Sequence, residues 1–301
     1  MTDPTDLYRL DGDVSNLRDP VLLYHFEGFV DAGAAGRLAV EHLLSELDHS
    51  TVATFDVDRL LDYRSRRPVM TFDTDRWVSC ETPELSVRLA HDVAGTPFLV
   101  LSGPEPDREW ELFAAAVAQL VERFGVRRLV TTHGIPMAIP HTRPLGVTAH
   151  ATSPELTDGQ SSNFGRVKVP GSAASLIEFR LGEKGHEAVG YAVHVPHYLA
   201  QAEYPQAAIT ALIAVSRNTG LVFPMDTLHA AADRTNNEIE EQIRGSAELS
   251  TAIVGLEQQY DAFAGGSERE NLIAESTPMP TGDELAAQFE RFLAERGDQD
   301  I

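Results

Sequence analysis

VLLYHFEGFVDAGAAGRLAVEHLLSEL, residues 21–47, decides how the rest of the chain is read. Residues 21–26, VLLYHF, form an apolar run with the length of a buried strand. GFVDAGAAG follows, and its glycines let the backbone turn tightly. In RLAVEHLLSEL, Leu38, Leu43, Leu44 and Leu47 recur at helical spacing, which gives the helix one apolar face. Strand, glycine-rich turn and helix make the opening unit of an alternating α/β fold.

The alternation continues outward. TVATFDV (51–57) and PFLVLSG (97–103) read as strands. Between them, PVMTFDTDRWVSCE predicts a hairpin insertion over about 68–91, turning near Asp73–Asp75. Such an insertion extends the sheet or meets a neighbouring subunit. Trp110, Phe113, Val117, Leu120 and Phe124 share one face of a helix, with Asp107 expected as its N-cap and Gly125 as its stop. RRLVTTH, VTAHATS (147–153) and EAVGYAVHVPH are strands, SAASLIEFRLGEKG is a helix, and a further helix begins near Pro205. The predicted class is α/β, with a mostly parallel central sheet and helices on both faces. From Asp226 the pattern is helical only: Ile239, Ile243, Leu249, Ile253, Leu256 and Tyr260 mark an apolar stripe broken near Gly245–Ser246. A linker, GGSERENLIAESTPMP, leads to a last helix in which Thr281 and Glu284 are spaced as a capping box. The division is therefore a core over 1–225 and a C-terminal helical segment over 226–301, available as a lid.

Composition narrows the function. The chain has 301 residues and a net charge of −22, so phosphates are repelled and nucleic acid is not expected as a partner. Seventeen acids against five arginines put −12 of that charge in residues 226–301. No apolar run reaches the roughly 18–20 residues of a membrane span. The acidic start MTDPTDLYRLDGD is unlike a signal peptide, and Cys80 is the only cysteine; both point to a cytoplasmic protein. The two lysines, Lys168 and Lys184, sit in turn-like sequence and read as solvated.

Ligands of open α/β sheets bind beyond the carboxyl ends of the strands. Three segments lie there. The first holds Glu27, Gly28, Asp31, Gly33 and Gly36. That glycine spacing is neither GxGxxG nor GxxxxGK[ST], so no dinucleotide or P-loop cofactor is implied, and Asp31 is also placed to cap the helix. The second, THGIPMAIPHTRPLGVTAHATSP, has no acid across Thr132–Pro154. His133, Gly134, His141, Arg143 and His150 either face an anionic or carbonyl ligand on a loop stiffened by prolines, or serve only to route the connection. The histidine spacing matches no metal motif and HEXXH is absent, so no metal is assigned. Ser102 and Ser153 follow strands but lack a GxSxG elbow. The third segment carries His197 and Glu203; with Glu27 and the loop histidines these perform acid–base work only if the fold brings them together.

EGFVDAGAAG, HGIPMAIPHTRP with TAHATS after it, VPHYLAQAEYPQAA and GDELAAQFERFL resemble the bacterial, actinobacterial-type branch of the proteasome assembly chaperone 2 family. The resemblance spans about residues 20–296. It implies a three-layer, phosphorylase-like α/β core, similar to that of peptidyl-tRNA hydrolases, with a C-terminal helical appendage. It carries no catalytic residues. The chain ends GDQDI, which departs from the hydrophobic–Tyr–X tail with which such chaperones dock on proteasome subunits. Three readings of function follow. One is a binding module for a small molecule or a protein, working as a homo-oligomer of three subunits. Another is a hydrolase- or phosphorylase-type enzyme for a small anionic or nucleoside-like substrate. The third is an assembly factor for a protein complex, with the acidic helices after Asp226 meeting a basic partner face.

Overall fold

The computed structural model describes residues 3–12, 14, 17–157 and 165–265. The linker after Gly265 and the helix expected around Thr281 and Glu284 lie outside these residues.

The chain opens with β1 (Tyr8–Leu10) and β2 (Val21–Glu27), turns through Gly28–Ala34, and enters α1 (Ala35–Glu46). β3 (His49–Phe55) and a single turn, α2 (Val57–Leu60), follow. Next come β4 (Met70–Asp73), β5 (Arg76–Cys80), β6 (Ser86–His91) and β7 (Pro97–Pro104). α3 (Trp110–Phe124), β8 (Arg128–Met137), β9 (Val147–Ala151), α4 (Ala173–Glu183), β10 (Ala188–Pro196) and α5 (Pro205–Thr219) complete the alternating part. α6 (Asp226–Gly245) and α7 (Ala247–Gly265) meet at Ser246, where the break was expected.

Among the described residues, eight strands form one sheet in the order β1-β3-β6-β7-β2-β8-β10-β9. The central four, β7-β2-β8-β10, are parallel throughout. β6 runs antiparallel between β3 and β7, and β1 and β9 run antiparallel at the two edges. Five strands thus share one direction, which is the mostly parallel sheet the alternation predicts. Side chains of successive residues point to opposite faces. Leu22, Tyr24 and Phe26 of β2 pack with α3 and α4 around Phe113, Val117 and Ile177. Val21 and Leu23 pack on the other face with α1 and α5, around Leu43, Ile209 and Leu212. A third buried cluster joins α6 and α7 to the core, with Ile239, Leu249 and Leu256 against Val195, Tyr198 and Tyr204.

Three local expectations change. The hairpin predicted over 68–91 occupies only Met70–Cys80; among the described residues β4 and β5 pair with each other alone, and Ser86–His91 is a strand of the main sheet. Asp107 does not cap α3. Its carboxylate takes the Asp62 N–H at 2.7 Å and Arg66 at 2.9 Å, and Glu109, at φ 54°, is the residue before the helix. β8 does not stop at His133 but runs on to Met137, because β10 pairs with it as far as Pro196.

Candidate functional site: a cleft at the strand ends

β2 leads into α1 on one face of the sheet, and its parallel neighbour β7 leads into α3 on the other. Their carboxyl ends are therefore a topological switch point, where departing connections leave a crevice. The inner surface changes character there. One row along the strands, Val100, Leu23 and Val130 are core. Above them, Ser86 pairs with Ser102, Ser102 with His25, and the His25 Nδ1 meets the Thr132 carbonyl at 3.2 Å. All four residues are buried. A polar row across four strands is costly to bury unless each group is bonded, so its position at the mouth of a crevice marks a site. α1 lies close over the row because Gly36 has no Cβ; one there would stand 2.4 Å from both His25 Nδ1 and the Thr132 oxygen.

The crevice is a half-open cleft of about 200 Å³ lined by His25, Glu27, Arg37, Glu41, Arg88 and Ser102, among others. Arg37 pairs with Glu41 at 3.0 Å and with Glu203 at 2.5 Å. Arg88 rises from β6, donates to Ser102 Oγ at 3.0 Å and pairs with Glu84 at 2.9 Å. The His25 Nε2 is enclosed, 3.6 Å from the Asp31 carboxylate and without a hydrogen-bond partner among the described residues.

The residues singled out from the sequence fall into three groups. Glu27 lines the cleft, and Glu203 reaches its rim through Arg37. Asp31 builds the turn beside it. Its two oxygens accept the N–H groups of Gly36, Arg37 and Gly134, tying the start of α1 to β8. Gly28 (φ 130°) and Gly33 (φ 66°) hold backbone conformations that favour glycine. A Cβ on Gly134 would lie 1.9 Å from the Ala32 carbonyl. These three glycines serve the backbone.

The second group sits on the opposite face. His133 and His150 approach with ring centroids 6.2 Å apart, and His150 Nδ1 bonds Glu178 of α4 at 2.9 Å. Burial pushes His133 down to about 4, with His150 and His25 adding to the effect and Asp31 opposing it. The imidazole is therefore neutral in the folded protein down to that pH, whereas an unfolded histidine protonates near 6.5. The unfolded chain binds the extra proton first, so this contribution to stability is complete above about 6.5 and is lost as pH falls towards 4. Unfolding free energies from urea titrations at pH 7.5 and 4.5 should differ by up to about 3 kcal/mol more in the native chain than in His133→Gln.

The third group is His141, Arg143 and His197. Tyr198 Oη bonds both the His141 backbone N–H and its Nδ1 at 2.8 Å, and His197 packs edge-on against the same ring. Burial lowers the pKa of His141 and of His197. Arg143 does not face a vacant anion site. It forks onto Asp261 at 2.8 and 2.7 Å and reaches Glu257 at 3.2 Å. Thr142 also donates to Glu257, and Tyr260 Oη to the Pro144 carbonyl. The acid-free loop is thus matched by acids of its own α7. Arg143→Ala should raise amide exchange in α7 by roughly tenfold and leave β8 and β10 unchanged, as hydrogen-exchange mass spectrometry can read. Among the described residues, no three His, Cys, Asp or Glu side chains are arranged to hold a metal ion. Nor, among them, is any helix long and apolar enough to cross a membrane.

Arg37 and Arg88 carry no motif in the sequence, and His25 reads there only as part of a strand. The signal for His25 is that it is the one histidine in VLLYHF; Arg88 gives none, because its strand falls within the predicted hairpin.

Fold and cleft together define an α/β sheet protein with a switch-point crevice and an appended helical pair. The PAC2 family profile matches residues 25–243, most of the chain, and the chain belongs to that family. It is 46% identical to a Mycobacterium tuberculosis protein of unknown function, with 88% of this chain and 95% of that one covered and a TM-score of 0.82. It is 38% identical to a protein of unknown function from Corynebacterium glutamicum, covering 86% and 98% with a TM-score of 0.81. A proteasome-assembly chaperone homologue of Mycobacterium tuberculosis is 25% identical, covering 77% and 99% with a TM-score of 0.71. None of the curated proteins matches the sequence.

Proposed function

We propose that this chain is a protein-binding module of the proteasome-assembly-chaperone type that works as a homo-oligomer of three subunits in the cytoplasm. The observation that carries the reading is the β4–β5 hairpin. Every residue of both strands is exposed, including Met70, Phe72, Trp77 and Val78. A two-stranded ribbon alone is marginal in water, and exposed apolar patches mark protein contacts. A second copy of the chain is the occupant, on a three-layer core of the phosphorylase-like type. The helical segment from Asp226 serves as a lid over the 141–144 loop, held by the Arg143 pairs. The similarity to a proteasome-assembly chaperone homologue supports assembly of a multisubunit protease as the task. The enzyme reading loses its main support because Arg143 is bound within the chain.

Assembly of proteasome particles from separate α and β subunits, followed by native gel, tests the task. Faster particle formation with this chain present is expected. An unchanged rate across a concentration series removes the assembly role.

A further inference from the structure

The switch-point cleft plays no part in the protein-binding reading, yet its chemistry is narrow enough to assign a ligand class. We propose that the cleft binds a small zwitterion, an α-amino acid or a group of that chemistry, with its carboxylate on Arg88 and its ammonium on the rim acids. Three observations support this. The first is place: the cleft lies between the carboxyl ends of β2 and β7, where connections leave to opposite faces. The second is an unused polar group. His25 is only 6% exposed, its Nδ1 is taken by a carbonyl, and Nε2 has no hydrogen-bond partner among the described residues. With Nδ1 donating to that carbonyl, Nε2 is an acceptor enclosed beside the cleft, 3.6 Å from the Asp31 carboxylate, which brings it no donor, so the polar wall of the cleft is under-bonded there.

The third is charge arrangement. Each cation of the cleft is already matched by an acid: Arg88 by Glu84, and Arg37 by Glu41 and Glu203. Glu27 adds an exposed carboxylate. A simple anion that took Arg88 from Glu84 would leave that carboxylate unpaired beside a new negative charge. A simple cation would do the same to an arginine. A zwitterion exchanges partners without stranding either: its carboxylate replaces Glu84 on Arg88, and its ammonium takes Glu27 together with the freed Glu84. The net charge of −22 works against a purely anionic ligand over longer range as well. A volume of about 200 Å³ is smaller than the roughly 300–1,000 Å³ of drug-sized sites, which suits a single amino acid.

The test is thermal denaturation of the full chain with individual free L-amino acids at roughly millimolar concentration, with acetate and methylamine as half-ligands. At least one amino acid is expected to raise the midpoint in a saturable way, and neither half-ligand is. Arg88→Gln should weaken that binding at least tenfold by isothermal titration. If Arg88→Gln does not fold, Glu27→Gln decides, because its exposed side chain can be changed without touching the core. An equal shift from acetate alone, no shift from any amino acid, or binding unchanged in the folded variants overturns the proposal. Oligomer mass and assembly rate are separate readouts, so this idea and the protein-binding reading fail independently.

Discussion

Asp31→Ala should lower the thermal midpoint by roughly 10 °C, the largest effect expected of any single polar substitution in the chain. The side chain joins three parts of the backbone. Its Oδ1 accepts from Gly36 at 2.9 Å and Gly134 at 2.8 Å, and its Oδ2 from Arg37 at 3.0 Å. A carboxylate that accepts several backbone N–H groups makes charge-assisted bonds, each worth about 1.5–3 kcal/mol. Truncation removes all three and leaves enclosed donors unpaired, a loss of about 3–5 kcal/mol after local relaxation. For a domain above 150 residues, that corresponds to about 2–4 °C per kcal/mol. Asp31→Asn should recover only part of it, because both oxygens are acceptors and an amide offers one. Gly134→Ala should be at least as damaging, since its Cβ would meet the Ala32 carbonyl at 1.9 Å, a backbone atom that cannot rotate away. Circular dichroism melts check all three. A midpoint for Asp31→Ala within 2 °C of the native chain (under about 1 kcal/mol) would show that Asp31 does not hold the turn to β8.

The same residue shows what was legible in the sequence. VLLYHF, the glycine turn and the leucine stripe gave strand, turn and helix because each depends on local periodicity. Asp31 was readable as a helix cap for the same reason. Its third bond, to Gly134, was not, because it joins residues 103 positions apart across two strands. The acid-free loop misled in an informative way. Its lack of acids was real, and so was its need for negative charge, but the partners were Glu257 and Asp261, more than a hundred residues on. Complementarity between segments of one chain and affinity for a ligand leave the same mark on composition. The cleft's place at the strand ends and its Glu27 were legible; Arg88 was not, for a topological reason. Arg88 belongs to it only because β6 inserts antiparallel beside β7, and antiparallel insertion cannot be read from an αβ alternation.

On the proposed assembly of three subunits, Trp77→Asp should convert the protein from about 99 kDa, three times its 32.9 kDa chain, to a monomer at micromolar concentration. The argument begins with local chemistry. Phe72 and Trp77 face each other across the β4–β5 turn with ring centroids 5.1 Å apart, edge to face, which is the pairing that holds a hairpin in register. Yet Trp77 stays 62% exposed and Phe72 55%. Neither strand contributes to any of the three buried clusters, so the hairpin adds nothing to the core of its own subunit. Tryptophan buried at the centre of an interface contributes about 2 kcal/mol or more, and a carboxylate left there unpaired adds a desolvation penalty. The proposed ring repeats each contact at every interface, so the effect on assembly is multiplied while the buried core of each subunit, which holds no hairpin residue, is untouched. Light scattering should therefore show the change in mass with no change in far-ultraviolet circular dichroism. A native chain of monomer mass, or a Trp77→Asp variant that keeps the native mass, would mean that the hairpin meets something other than its own kind.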